Sequence, residues 1–128
     1  MKPRILVTRR WPAAVEARLT ERFDTVLNTG DKPLSLKEFR TALSSYDAVL
    51  PTVTDTLSSE AMDVPKLRTK ILANYGVGYS HIDAETAARQ NITVTNTPDV
   101  LSQCTADLAM TLLLMVARRT AEGAREIR

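Results

Sequence analysis

Short β-branched apolar runs alternate along this chain with longer stretches of helical spacing, and that order constrains the fold more than any single motif: it is the pattern of a βα series laid into a parallel sheet. Ile5-Leu6-Val7-Thr8 is the first run, closed by Arg9-Arg10. Trp11-Pro12 then opens a helical stretch, with Pro12 near its first turn and Val15, Leu19 and Phe23 on one face. A second strand, Thr25-Val26-Leu27, ends in the turn-forming Asn28-Thr29-Gly30-Asp31-Lys32-Pro33. Ser35 forms a capping box with Glu38, and Leu36, Phe39 and Leu43 follow at helical spacing. Ala48-Val49-Leu50 is a third strand stopped by Pro51, and Ser58 to Met62 reads as one helical turn ending near Pro65. Lys70-Ile71-Leu72-Ala73-Asn74 is a fourth strand that runs into Tyr75-Gly76-Val77-Gly78. Asp83 caps a short helix, Ala84 to Arg89, before a fifth strand at Ile92-Thr93-Val94. Each strand is continuously apolar rather than alternating, which implies a parallel sheet buried on both faces.

The segment from Leu108 to Ala117 differs in kind, because only Thr111 is polar over about three helical turns. A helix without a wet face must be covered all round, and the other elements are too few to do it. The expectation is that another chain, or sequence beyond these 128 residues, completes its surface.

Composition narrows the function classes. With 44% hydrophobic and 25% charged residues, the 128-residue chain has ordinary globular character and the length of one domain. Lys+Arg 17 against Asp+Glu 15 leaves a formal charge of +2, with the basic residues scattered apart from Arg9-Arg10 and the last eleven positions, so nucleic acid is not the leading partner. Neither a signal-peptide core nor a stretch long enough to span a membrane is present, and the expected location is the cytoplasm. One cysteine, Cys104, and one histidine, His81, exclude an internal disulfide and a cysteine zinc cluster, and no metal site is expected.

Gly76-Val77-Gly78-Tyr79-Ser80-His81 starts like a dinucleotide fingerprint, but His81 stands where the third glycine lets helix and strand pack closely. What remains is a turn at the carboxyl end of a parallel strand, either a seat for a small anion or simply a tight turn. His81 has no second histidine to work with, and Asp83 is better placed as a helix cap than as a catalytic partner, so a locally hydrogen-bonded loop histidine is expected. Cys104 has a nucleophilic reading at a helix N-terminus and a plainer one as a core-facing thiol, which is the one expected. The arginines from Arg118 to Arg128, interleaved with Glu122 and Glu126, read as a solvated helix face. A receiver domain would need an acidic cluster after the first strand, and a flavodoxin a hydroxyl- and glycine-rich loop; Thr8-Arg9-Arg10-Trp11-Pro12 is neither.

Four stretches taken together carry a resemblance. Ile5-Leu6-Val7-Thr8-Arg9-Arg10, Asn74 through Asp83, Asn96-Thr97-Pro98-Asp99-Val100-Leu101, and Thr105-Ala106-Asp107-Leu108-Ala109-Met110-Thr111-Leu112-Leu113-Leu114 resemble the D-isomer-specific 2-hydroxyacid dehydrogenases, of the glyoxylate/hydroxypyruvate reductase type. The resemblance runs through essentially the whole chain in order. It implies an α/β, flavodoxin-like, doubly wound parallel sheet over residues 1–100, serving as a substrate-binding domain. Residues 101–128 would be an apolar crossover helix toward a nucleotide-binding domain and part of a homodimer interface. It implies that the backbone N–H groups of Val77 and Gly78 bind the substrate carboxylate, with Gly76 as the flanking turn residue, and that Thr105 lies against the cofactor, NAD or NADP. The family's phosphate loop, catalytic arginine, its partner carboxylate and acid–base histidine lie farther along, so no catalytic residue is assigned here. The expected function is the substrate-binding portion of an enzyme that reduces a small 2-keto acid such as glyoxylate or hydroxypyruvate, with the 128-residue chain inactive alone and without its own cofactor. The competing reading from another class is a stand-alone, non-catalytic α/β module for dimerisation or partner binding; a nucleic-acid binder built on Arg118 to Arg128 is a third.

Overall fold

A computed structural model describes residues 1–127. They divide into two compact units, Met1–Thr97 and the segment from Pro98 onward.

The first unit is a five-stranded, all-parallel sheet built from β1 (Arg4–Val7), β2 (Asp24–Leu27), β3 (Ala48–Leu50), β4 (Ile71–Ala73) and β5 (Thr93–Thr95), in the order β2-β1-β3-β4-β5. This is the doubly wound, flavodoxin-like order, so the expected fold class is the observed one. All five strands lie within a residue or two of the positions read from the apolar runs. The register sets Leu6 beside Val26 and Val49, and Leu72 beside Val49 and Val94.

Alternation along β1 sends Leu6 to one face of the sheet and Ile5 and Val7 to the other. On the Leu6 face, Val49 and Leu72 meet Phe39, Ala42 and Leu43 of α2 (Leu36–Ser45), Ala61 and Met62 of α3 (Ser59–Met62) and Ala87 of α4 (Ala84–Arg89). The other face packs Ile5, Val7 and Leu50 against Trp11, Leu19 and Phe23 around α1 (Ala13–Arg22). With one helix there, the burial expected on both faces of every strand is incomplete: Ile71 is 43% exposed, and Thr93 and Thr95 of the edge strand are exposed.

Helix starts follow local chemistry. The Ser35 hydroxyl accepts from the Glu38 N–H, and the Glu38 carboxylate accepts from the Ser35 N–H at 2.7 Å, which completes the expected capping box. Asp83 accepts from the Thr86 N–H at 2.9 Å and caps α4, also as expected. The start of α1 departs from expectation. Val15 is 37% exposed and Glu16 is 6% exposed. Pro12 offers no side-chain cap, so Glu16 closes the helix start, accepting from the Trp11 N–H at 2.8 Å and from Arg10 Nε and Nη2 at 3.0 Å each. A three-bond carboxylate outweighs one valine methyl pair in deciding which side of the turn faces inward.

The second unit contains α5 (Ser102–Ala117) and α6 (Thr120–Glu126), with Arg119 in the left-handed region (φ 49°) between them. No residue of α5 is buried within the described chain; Leu113 is 62% and Val116 78% exposed. The helix starts six residues before the fully apolar stretch. Arg119 pairs with Glu122 on the solvated face expected of the arginine-rich segment. No helix of the described residues is long and apolar enough to cross a membrane.

Candidate functional site

The carboxyl edge of the sheet gathers the polar chemistry of the first unit. Strand order reverses between β1 and β3, so the loops leaving them diverge and open a crevice, the usual seat of a ligand in such sheets. Three loops border it: Thr8–Trp11 after β1, Pro51–Asp55 after β3, and Asn74–His81 after β4. The last two are tied by a parallel bridge between Thr52 and Tyr75 and by the Tyr75 N–H donating to Pro51 O at 2.8 Å. Trp11 reaches across from the first, its ring centroid 4.9 Å from that of Tyr75 at 41°.

Beneath these loops Asp55 is 2% exposed. Its Oδ2 accepts from the Thr8 hydroxyl and from the Thr52 N–H at 2.9 Å, while Oδ1 has no partner among the described residues. Arg9 extends the network outward, with Nη1 on the Thr54 hydroxyl at 2.9 Å and Nε on Asp31 at 3.0 Å. Asp31 also accepts from the Arg10 N–H, and that bond together with the Arg9 guanidinium holds its carboxyl below the usual range. These side chains fix the β1 and β3 loops to each other.

The loop after β4 has a different construction: at Gly76, Val77 and Gly78 each carbonyl is engaged and each N–H is free among the described residues. Gly76 O accepts from Thr97 N–H at 3.0 Å and from Asn74 Nδ2 at 3.2 Å. Gly78 O accepts from Asn74 Nδ2 at 2.9 Å, and Val77 O from Asn96 Nδ2 at 2.8 Å. Among the described residues no acceptor takes the N–H of Gly76, Val77 or Gly78. No peptide bond is cis, so each N–H points opposite to the preceding carbonyl. With Gly76 O and Val77 O drawn onto asparagines, the N–H groups of Val77 and Gly78 are directed away from them. Unpaired N–H groups in a turn at the carboxyl edge of a sheet are donors available to an anion.

The two glycines have unequal jobs. A Cβ on Gly76 would come within 2.6 Å of Val53 Cγ1, so close approach of the β3 loop demands glycine there. A Cβ on Gly78 would meet nothing within 4 Å. Gly78 therefore borders open space, between the exposed residues Val77 and Tyr79.

His81 is the locally hydrogen-bonded residue expected, with Nε2 2.9 Å from Asn74 Oδ1. Burial pushes its imidazolium below the ordinary value, and the nearby Asp55 carboxylate opposes that shift. Cys104 sits in the first turn of α5 and is exposed, not core-facing, because this helix has no covered side within the described chain. Thr105 lies one residue farther along, also exposed, its N–H donating to Leu101 O at 2.9 Å. It belongs to the second unit, whereas Gly76, Val77 and Gly78 belong to the first.

The residues at 76–81 do not fit a dinucleotide. No helix starts on the loop: Tyr79 O accepts from the Ile82 N–H, and the six-residue α4 starts only after Asp83, so the loop lacks the helix N-terminus that receives a pyrophosphate. No group of three or more His, Cys, Asp or Glu among the described residues is placed to hold a metal ion. Sequence reasoning missed Asn74, Asn96 and Asp55. The signal for Asn74 was present, since a carboxamide at the end of an apolar strand just before Gly-x-Gly must find partners in that turn.

Comparison with known proteins agrees with this architecture. The family model for the D-isomer specific 2-hydroxyacid dehydrogenase catalytic domain matches residues 5–127. A glyoxylate reductase of Korarchaeum cryptofilum is 40% identical over 129 aligned positions, covering 100% of this chain and 38% of that protein. A glycerate dehydrogenase of Hyphomicrobium methylovorum is 34% identical, covering 99% of this chain and 39% of its own length. Among solved structures, the TT0316 protein of Thermus thermophilus superposes with a TM-score of 0.76 at 42% identity, over 94% of this chain and 39% of its own. An NADPH-dependent glyoxylate/hydroxypyruvate reductase of Sinorhizobium meliloti, in complex with NADP and malonate, gives 0.69 at 35% identity, over 90% and 34%. The chain thus spans less than half the length of each of these relatives. A family match across nearly the whole chain, on a sheet of the matching topology, means that the chain belongs to the D-isomer specific 2-hydroxyacid dehydrogenases, within their catalytic domain.

Proposed function

We propose that this chain supplies the carboxylate cradle of an NAD(P)-dependent D-2-hydroxyacid dehydrogenase acting on a small 2-keto acid such as glyoxylate or hydroxypyruvate. The observation that carries the reading is the loop after β4, where the N–H groups of Val77 and Gly78 are unpaired and directed away from bonded carbonyls. A carboxylate is the natural occupant, because two N–H donors on adjacent residues match its two oxygens and a charged acceptor strengthens each bond. Gly76 shapes the turn, and Gly78 leaves the approach open. Support for the small 2-keto acid comes from the relatives, which include glyoxylate reductases, a glycerate dehydrogenase and a glyoxylate/hydroxypyruvate reductase.

In this reading residues 1–100 are the substrate-binding domain and residues 101–128 the crossover helix, with Thr105 against the cofactor of the complete enzyme. The nicotinamide cofactor, NAD or NADP, is held by parts of the enzyme other than the 76–81 loop, which does not fit it. The bare apolar surface of α5 is the side on which two subunits meet as a homodimer, and the protein works in the cytoplasm. The 128-residue chain alone binds the acid without turning it over.

Two measurements test this. Purified chain of verified intact mass, mixed with NADH or NADPH and glyoxylate or hydroxypyruvate, is expected to show no oxidation of the nucleotide; turnover by material of that mass overturns the assignment of inactivity. Glycolate titrated into ¹⁵N-labelled chain is expected to shift the Val77 and Gly78 amides with roughly millimolar affinity, as suits two hydrogen bonds to one small anion. The uncharged methyl glycolate is expected to leave them in place, and equal shifts from both compounds overturn the carboxylate reading.

A further inference from the structure

The orientation of the loop N–H groups depends on side chains that do not themselves touch a ligand. Asn74 is 3% exposed and sits under the loop, with its Nδ2 donating to both Gly76 O and Gly78 O. A carboxamide has two N–H donors and an acceptor oxygen, and here both donors are used. Turned over, it would set Oδ1 against two carbonyl oxygens, acceptor against acceptor, so the loop permits one orientation only. That orientation presents Oδ1 to His81 Nε2 at 2.9 Å. Oδ1 only accepts, so Nε2 must carry a proton, and the imidazole is held as the Nε2–H tautomer when neutral.

The chain of constraint then runs outward. His81 Nε2–H anchors the Oδ1 end of the Asn74 carboxamide; the carboxamide, together with the Thr97 N–H, holds Gly76 O; and the trans peptide that carries Gly76 O directs the Val77 N–H the other way. Asn96 does the same for the next peptide, because Nδ2 on Val77 O directs the Gly78 N–H. Resting on the reading of this loop as a carboxylate cradle, we propose that Asn74, His81 and Asn96 are positioning residues that aim the Val77 and Gly78 N–H groups: His81 acts through Asn74 on Val77, and Asn96 acts on Gly78. This gives the chain's one histidine a role in substrate binding that requires no proton transfer.

His81 is the residue to test first, because it is only partly buried and its replacement spares the core. In His81→Gln the side-chain amide can still donate to Asn74 Oδ1, whereas His81→Phe keeps the ring and removes the donor. Imidazole ¹⁵N shifts of the wild-type chain at neutral pH are expected to report the Nε2–H tautomer, and the two Asn74 Nδ2 protons are expected to be distinct and slow to exchange. His81→Phe is expected to broaden the Val77 amide, collapse the Asn74 side-chain pair and weaken glycolate binding about five- to tenfold, one lost hydrogen bond. His81→Gln is expected to restore all three to within about twofold, and Asn96→Ala to disturb Gly78 more than Val77. An Nδ1–H tautomer, or a His81→Phe chain whose Val77 amide and glycolate affinity match wild type, overturns the proposal and leaves the cradle itself standing. The converse result, the expected tautomer and Asn74 signals with no glycolate response at Val77 or Gly78, upholds the positioning chain and removes the carboxylate as its purpose.

Discussion

The hydroxyl of Thr8, the residue that follows β1, donates to the Oδ2 of Asp55, the residue that closes the β3 loop, and both side chains are buried. Asp55 Oδ2 takes the Thr52 N–H as well, so one carboxylate joins the two loops that flank the point where strand order reverses. Asp55→Ala leaves the Thr52 N–H without its partner, which costs about 1–3 kcal/mol for each buried group left unsatisfied. Urea unfolding followed by Trp11 fluorescence should show that loss, and a midpoint equal to wild type would remove Asp55 from the loop framework.

Gly76 and Gly78 should respond oppositely to alanine. Gly76→Ala meets the stiff, β-branched Val53 at 2.6 Å and is expected to destabilise by about 1–3 kcal/mol, the usual cost of overpacking. Val53→Ala in the same chain should recover most of that loss in a double-mutant cycle. Gly78→Ala has free space, so its melting temperature should stay near that of wild type while glycolate binding weakens, since the new methyl group borders the open side of the cradle.

Acid should act on two groups, Glu16 and His81, both held below their ordinary values. The Glu16 carboxyl is held below its ordinary value of 4.5, first by the hydrogen bond from Arg10 and then by that from the Trp11 N–H. Its contribution is therefore fully present above that ordinary value and is lost as pH falls through the depressed folded one. His81 is a base held below its ordinary 6.5 by burial. Between the folded and ordinary values the unfolded chain binds more protons, so stability declines as pH drops below about 6.5 and levels off once the folded value is passed. Stability measured against pH should lose its upper slope in His81→Gln and its lower one in Glu16→Gln. Unchanged profiles in both variants would contradict the assignment.

The apolar surface of α5 should make the isolated chain self-associate. Leu108, Leu112, Leu113 and Val116 are all more than half exposed, a patch of the kind that soluble monomers rarely leave bare. Sedimentation velocity is expected to show concentration-dependent association and a hydrophobic dye to bind. Leu113→Lys with Val116→Lys should shift the chain toward monomer without altering the melting of the sheet. Association alone fits both readings; a wild-type chain that binds no dye and melts at high temperature would favour an evolved, self-contained module over the dehydrogenase portion.

Much of this molecule is determined by its sequence alone, because secondary structure here depends on periodicity and end signals that act within a few residues. The five apolar runs, the Ser35 box, the Asp83 cap and the arginine-rich face of α6 are all local, and all stand close to where the residues indicate. The third position of the glycine turn, occupied by His81, likewise departs from the dinucleotide fingerprint in the sequence itself. Tertiary structure decided the rest. Glu16 is inside and Val15 outside because Arg10 and Trp11 arrive from the preceding loop with donors to match a carboxylate, which no helical periodicity records. Asp55 meets Thr8 across 47 positions, and Asn96 meets Val77 across 19, only because parallel pairing brings the carboxyl ends of separate strands together. The cradle is a property of that edge. Its carbonyls are engaged by partners that come from the segment after a neighbouring strand and from a buried asparagine, whose Oδ1 meets His81 seven residues away.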